Sequence, residues 1–427
     1  MKRVAIFPAG TEIGLEIHNS LRFVKDIELF GISSAHDHSN VVFENIISDA
    51  PYLGDGQLLD FIKEYVTKNK IDYIFPAHDD AVVFLSENEE RLACKVVSSG
   101  EEVANICRYK SKTYSVLSDK EFIPRTYSLE DLKSADYPVF IKPDRGQGSN
   151  GAQKVLNADE LKSIKNIQDY VICEYLEGNE YTVDCLSCAE SKVLYSSPRV
   201  RARVRNGISV STTNVQDFNL EFSDIASQIS ERLNMKGAWF FQVKKNSQGK
   251  LILLEVACRI AGSMGLHRNL GMNFALNSLY IRDGVIIKPC VNNFTQTVDR
   301  ALISRYSNNL EYNNVYIDFD DTITRANKVN SLVMSFIYQC RNKGINLFLI
   351  TRHDKDIYNT LSNLEISKRL FSEIIHIKDG SNKSSHISED NSIFIDDSFR
   401  ERFDVKRRLN IPVFDVDSIE LLLDWKY

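Results

Sequence analysis

Residues 138–156 read PVFIKPDRGQGSNGAQKVL, and the first structural question is what this stretch folds into. An apolar run ends on Lys142. A loop with glycines at 146, 148 and 151 follows, and a second short apolar run closes the segment. Strand, glycine loop, strand is the pattern of a hairpin whose backbone amides can approach a polyphosphate closely, with a lysine charge beside them. The chain has no GxxxxGK[ST] motif, so this is not a P-loop. The turn after the first strand, PAGTEIG at residues 8–14, lacks the full GxGxxG of a dinucleotide site.

About a hundred residues on, FFQVKKNSQGKLILLEVACR (240–259) reads as a second hairpin around a Gln-Gly turn. Side chains alternate along a strand, so an even-length turn puts Gln242 and Glu255 on one face. Two converging oxygen donors suit Mg2+, which takes few protein ligands alongside substrate phosphates. The competing reading is a solvated sheet face. Against it, Glu255 interrupts the apolar run LILLEVA, where an unpaired carboxylate is costly.

Working outward, residues 1–110 alternate strand and helix patterns: RVAIF, a helical run from Ile13 to Phe23, IELFGIS, the helix LLDFIKEYVTKN and IDYIFPA. That alternation predicts a parallel sheet covered by helices. Residues 111–306 carry short β runs and two or three helical stretches, an α+β texture. SNNLEYNN (307–314) reads as a linker. Strand–helix alternation returns over 313–427, predicting a second parallel-sheet domain.

Four stretches in order, YKSKTYSVL (109–117), PVFIKPDRGQGSNG, ICEYLEGNEYTVD (172–184) and the hairpin ending EVACR, resemble an ATP-grasp ligase of the carbamoyl-phosphate-synthetase-like type, over about residues 1–300. The resemblance implies a Rossmann-like pre-ATP-grasp domain followed by the ATP-grasp fold, with ATP and Mg2+ as cofactors. By it, Lys110 and Lys142 contact phosphates, and the loop of Gly146, Gly148, Ser149 and Gly151 closes over them. Glu174, Tyr175 and Leu176 hold adenine and Glu180 faces the ribose. Gln242 and Glu255 hold Mg2+, with Arg259 near the transferred phosphate. The family's usual ending is E-[IV]-N-P-R, whereas this chain has Ala257 in the asparagine position, so one of two metals loses a ligand. The implied substrates are a small carboxylate and an amine, and homodimers are common among proteins of this kind. SPRVRARVRNGIS (197–209) carries Arg199, Arg201, Arg203 and Arg205, which alternation puts on one face as a clamp for an anionic substrate, unless the strand edge is merely solvated.

In the last domain VYIDFDDTIT (315–324) delivers Asp318 and Asp320 at the carboxyl end of a buried strand, where α/β sheets place their sites. NLFLITR ends a strand at Thr351, Lys383 lies in a polar loop, and SIFIDDS ends a strand at Asp396 and Asp397. This set resembles the haloacid dehalogenase (HAD) superfamily. The resemblance implies that Asp318 attacks phosphorus, Asp320 protonates the leaving group, and Thr351 and Lys383 steady the phosphoryl group. Mg2+ is held around Asp318, Asp320, Asp396 and Asp397. The gaps of about 30 residues between these elements leave no room for an inserted cap, so the domain is expected to be a capless Rossmannoid acting on a phosphorylated metabolite.

Composition fits a multidomain α/β and α+β protein. Of 427 residues 43% are hydrophobic and 26% charged, and the length suggests roughly three folding units. A net charge of −6 gives no reason to expect nucleic acid or a membrane surface as partner. No apolar run approaches the ~20 residues of a transmembrane helix, and the opening MKRVAIFPAG reads as a strand, not a signal peptide. A cytoplasmic location is expected. The eight cysteines are scattered, and Cys185 and Cys188, although spaced CxxC, sit in a strand-like run, so reduced thiols are expected. An alternative reading is that Ala257 marks a module that binds ATP without turnover, leaving phosphatase action as the only output.

Overall fold

The structure is a computed structural model, and it describes residues 1–426 apart from 147, 149, 206 and 217–219. The chain divides into two compact units, Met1–Leu302 and Ile303–Tyr427.

The first unit opens with a five-stranded parallel sheet. Its central strand Lys2–Phe7 lies between Ile27–Ile32 and Tyr73–Pro76, with Asn45–Ile47 and Lys95–Val96 at the edges. Val4 to Phe7 are all fully buried, as a strand covered on both faces requires. The helix Glu12–Leu21 follows at once, its N-terminus capped by Thr11, whose hydroxyl accepts the Gly14 N–H at 3.0 Å. The helix Leu58–Asn69 buries Leu58, Leu59, Ile62 and Val66 as one apolar stripe.

Two antiparallel sheets make up the rest of this unit. A four-stranded sheet has the order Thr126–Tyr127, Tyr170–Glu174, Val139–Pro143, Gln153–Val155. A six-stranded sheet runs Leu251–Ala257, Gly237–Lys245, Glu180–Ser187, Val193–Arg205, Ile208–Asn214, Thr297–Asp299. One face of the larger sheet, with Val183, Cys185, Trp239 and Phe241, packs against the helix Leu220–Leu233 through Ile225 and Ile229. The opposite face is polar. Register puts Glu255, Gln242, Thr182, Arg199 and Asn214 side by side in one row across it.

The second unit is a five-stranded parallel sheet in the order Glu373–His376, Asn346–Thr351, Asn314–Ile317, Ser392–Ile395, Val413–Phe414. The adjacent strands Asn314–Ile317 and Ser392–Ile395 end just before Asp318 and Asp396, at the point where the strand order reverses. The gap between Asp318 and Thr351 holds more than the expected helix and strand. A turn and a two-residue hairpin, Thr324–Arg325 with Lys328–Val329, precede the helix Ser331–Asn342. The segment 307–314, expected as a linker, is part of this unit: Leu310 and Tyr312 pack on its core, and the Asn308 side chain donates to the Leu421 carbonyl at 3.1 Å. Among the described residues no helix is long and apolar enough to cross a membrane.

Candidate active sites

In the first unit the strand Val139–Pro143 buries Lys142, whose ammonium donates to the Tyr114 hydroxyl at 2.5 Å and the Leu254 carbonyl at 2.8 Å. Among the described residues no carboxylate is in contact with it. Burial pushes its pKa down, and the more distant Glu255 and Glu180 only partly compensate. Lys110 opens the helix Lys110–Val116 and donates to the Gly146 carbonyl at 3.4 Å, and burial lowers its pKa too. A buried cation short of negative partners is a site prepared for an anion.

The glycine loop lies beside these lysines. Gly148 and Gly151 take positive φ of 61° and 75°, and a Cβ on Gly151 would stand 3.0 Å from Pro143. Ser149 lies outside the described residues. Gly207, between the strands Val193–Arg205 and Ile208–Asn214, approaches so closely that a Cβ there would sit 2.1 Å from the Gly148 backbone.

One cavity is lined by Lys142, Glu174, Tyr175, Leu176 and Glu180. The Glu174 carboxylate accepts the Arg125 N–H at 2.9 Å, and the Lys154 ammonium lies 4.0 Å from the Tyr175 ring. A second cavity shares Lys110, Arg201, Gln242 and Glu255 with the first and continues to Arg199 and Arg259. Gln242 and Glu255 are direct cross-strand partners.

The arginines do not form the clamp that alternation predicts. Register shifts after Arg201 and after Arg203 break the alternation. Arg199 is buried against Asp184, with contacts of 2.7 and 3.3 Å. Arg201 pairs with Glu180 and donates to the Gln242 side chain at 3.1 Å. Arg203 is exposed, pairs with Asp299 at 2.9 Å, and lines neither cavity. Arg259 is held by both oxygens of Asp79 at 2.7 and 2.8 Å and lies over the Phe240 ring. Burial opposes the charge on Asp79, yet Arg259 outweighs it and holds that carboxyl below its usual range. Asp79, Asp184 and Tyr114 are not legible in the sequence because each meets its partner on a different element, a pairing that only the fold sets. All eight cysteines are free thiols.

In the second unit Lys383 lies between two buried carboxylates, 2.5 Å from Asp318 and 2.7 Å from Asp396. Burial raises the Asp318 pKa to about 7, with the Asp396 charge adding to the rise and Lys383 opposing it. Burial also works against the charge on Lys383, but the two aspartates prevail and its pKa is raised. Carboxylate oxygens of Asp318, Asp396 and Asp397 lie within 4.8 Å of one another, a donor set that fits a hard divalent cation. Asp320 does not join that cluster. Its carboxylate faces His353, whose Nδ1 lies 3.0 Å from both oxygens. Thr351 is fully buried and its hydroxyl accepts the His353 N–H at 3.1 Å.

A family model described as ATP-grasp in the biosynthetic pathway with Ter operon matches residues 166–305. That stretch is similar to an ATP-grasp domain. The chain's fold is similar to that of L-amino acid ligase from Bacillus licheniformis, at 19% identity and TM-score 0.55, covering 65% of this chain and 73% of that one. It is similar to the biotin carboxylase domain of 2-oxoglutarate carboxylase from Hydrogenobacter thermophilus, a dimer in complex with MgADP, ADP and bicarbonate (14% identity, TM-score 0.56, 69% and 73% covered). It is also similar to N5-carboxyaminoimidazole synthetase from Staphylococcus aureus complexed with ADP (14%, TM-score 0.53, 67% and 79% covered). At these identities the likeness is one of fold. ATP and Mg2+ are the cofactors ATP-grasp enzymes use. No curated protein matches the chain in sequence.

Proposed function

We propose that the chain is bifunctional: an ATP- and Mg2+-dependent ligase joining a small carboxylate to an amine, followed by a HAD-type, Mg2+-dependent phosphomonoesterase. The observation that carries the ligase reading is Lys142, a buried ammonium whose partners are a phenol and a carbonyl, facing the same cavity as Gln242 and Glu255. A polyphosphate supplies the charge that this ammonium lacks, and Mg2+ on Gln242 and Glu255 would offset charge on the phosphoryl oxygens. The substrate carboxylate attacks the γ-phosphorus and the bond to ADP breaks. The amine nitrogen then attacks the acyl carbon, loses a proton, and phosphate leaves with its electron pair. Arg199, Arg201 and Arg259 line the adjoining cavity, where an anionic acceptor would bind.

In the second unit the buried trio of Lys383, Asp318 and Asp396 supports an aspartyl-phosphate mechanism. Mg2+ held by Asp318, Asp396 and Asp397 would offset the repulsion between an anionic nucleophile and a phosphate. Asp318 attacks phosphorus, Asp320 protonates the departing oxygen, and water assisted by Asp320 then hydrolyses the intermediate.

A second reading, a nucleotide-binding module whose only output is phosphatase action, is favoured by Ala257 at the end of the metal hairpin. One experiment decides between them. Asp318→Asn protein is incubated with Mg2+, ATP and pools of carboxylates and amino acids, and ADP and new product masses are followed by mass spectrometry. Substrate-dependent ADP with a condensed mass is the expected result. ADP at background across the pools supports the binding module instead.

A further inference from the structure

We propose that His353 is the positioning residue for Asp320, fixing the carboxylate that passes a proton to the leaving group and then takes one from water. This assignment rests on the phosphatase reading of the second unit.

Asp320 needs such a partner. It follows Asp318 by two residues in a turn where Asp321 takes a positive φ of 55°, and its side chain is 51% exposed. An aspartate in that position samples several rotamers, whereas proton transfer needs one of them held within hydrogen-bond reach of the ester oxygen. His353 Nδ1 meets both Asp320 oxygens at 3.0 Å, so rotation about the last side-chain bond is resisted on both sides.

The imidazole is itself held on every side. Its Nε2 lies 2.9 Å from the Thr360 hydroxyl, and its ring stands edge-on to Phe319 with centroids 5.3 Å apart. Its backbone is tied through the N–H to the Thr351 hydroxyl and through the carbonyl, which accepts from His376 Nε2 at 2.7 Å. The side chain is only 13% exposed. The imidazole is thus anchored through both ring nitrogens and a ring face, and its backbone through both polar groups.

In the first step the Asp318 oxygen forms a bond to phosphorus while the ester P–O bond breaks, and the leaving oxygen takes the proton from Asp320. In the second, water loses a proton to Asp320 as its oxygen attacks phosphorus, and Asp318 departs as carboxylate. The first proton matters most for leaving groups that are poor anions. Loss of His353 should therefore penalise alkyl phosphates and spare nitrophenyl phosphate, whose leaving group departs unprotonated.

The test measures kcat and KM of the full-length protein with Mg2+ on glycerol phosphate and on p-nitrophenyl phosphate, for wild type, His353→Ala, His353→Asn and Asp318→Asn. We expect His353→Ala to lower kcat on glycerol phosphate by roughly 10²-fold, with less than about 10-fold loss on p-nitrophenyl phosphate and little change in KM. His353→Asn places an amide N–H where Nδ1 stood and should recover most of the loss. Equal losses on both substrates, or an asparagine variant as poor as alanine, overturn the positioning role alone. No Asp318-dependent turnover by the wild type on either probe overturns the phosphatase reading and this assignment with it.

Discussion

Lys142 illustrates how one side chain ties stability to function. Its ammonium is buried at a cost that hydrogen bonds to Tyr114 and the Leu254 carbonyl, with the more distant Glu255 and Glu180, offset only in part in the free protein. Lys142→Ala removes that cost together with the charge, so the variant should fold normally while substrate-dependent ADP release falls by at least about 10²-fold. Retention of ADP release in a steady-state assay would remove Lys142 from the phosphate site. His267, in the same unit, is fully buried among Asp184, Arg199 and Tyr195, with Nε2 3.4 Å from Asp184 but not in hydrogen-bonding geometry. Burial, helped by Arg199, lowers its pKa to about 4, outweighing the pull of Asp184. The unfolded chain takes up this proton near pH 6.5 and the folded chain only near 4, so stability is lost as pH falls through that window. The loss approaches roughly 3 kcal/mol at its acid end. Melting curves at pH 7 and pH 5 should show a larger drop for wild type than for His267→Gln. At this scale the sequence offered little warning. The alternating arginines from 199 to 205 were legible as charge, but their partners Asp184, Glu180 and Asp299 come from other strands, and ion pairing decides which guanidinium faces a cavity.

Elements were more legible than residues where burial is continuous. LLDFIKEYVTKN, NLFLIT and LILLEVA form a helix and two strands over the same residues that periodicity indicates, because each must hide an apolar face or run. The edge strands Asn45–Ile47, Lys95–Val96 and Thr297–Asp299 were illegible: they are two or three residues long, and neighbouring backbone rather than apolar content fixes them. The strand Val193–Arg205 spans 13 residues, yet only its arginine-rich end carried a signal. Its turn holds the element-scale prediction. Gly207 has φ of 73°, and a methyl group there would overlap the Gly148 backbone. Gly207→Ala must therefore push the turn and the glycine loop apart, and Arg201, which donates to the Gly207 carbonyl, moves with it. The KM for ATP should rise by about 10-fold or more, with a melting temperature lower by only a few degrees, since the left-handed φ strains an alanine but no core residue is touched. An unchanged KM would mean that the contact between the two loops plays no part in nucleotide binding.

For the whole molecule the issue is whether the two sites work separately. Each unit has its own cores: Trp239, Phe241 and Ile229 anchor one in the first, and Phe336, Ile337 and Leu349 anchor one in the second. Lys142 touches Tyr114 and Leu254, while Asp318 touches Lys383, so the two share no partner among the described residues. Substitutions without shared partners act additively. Asp318→Asn should abolish phosphate release from monoesters and leave carboxylate-dependent ADP release within about twofold of wild type, and Lys142→Ala should do the reverse. Both activities are to be measured on the same full-length preparations, each with saturating Mg2+. If Asp318→Asn also suppressed product formation when the carboxylate is supplied as its phosphate ester, but not when supplied free, the phosphatase would stand upstream and prepare the ligase's substrate. If product forms from either with Asp318 replaced, dephosphorylation is not required before ligation.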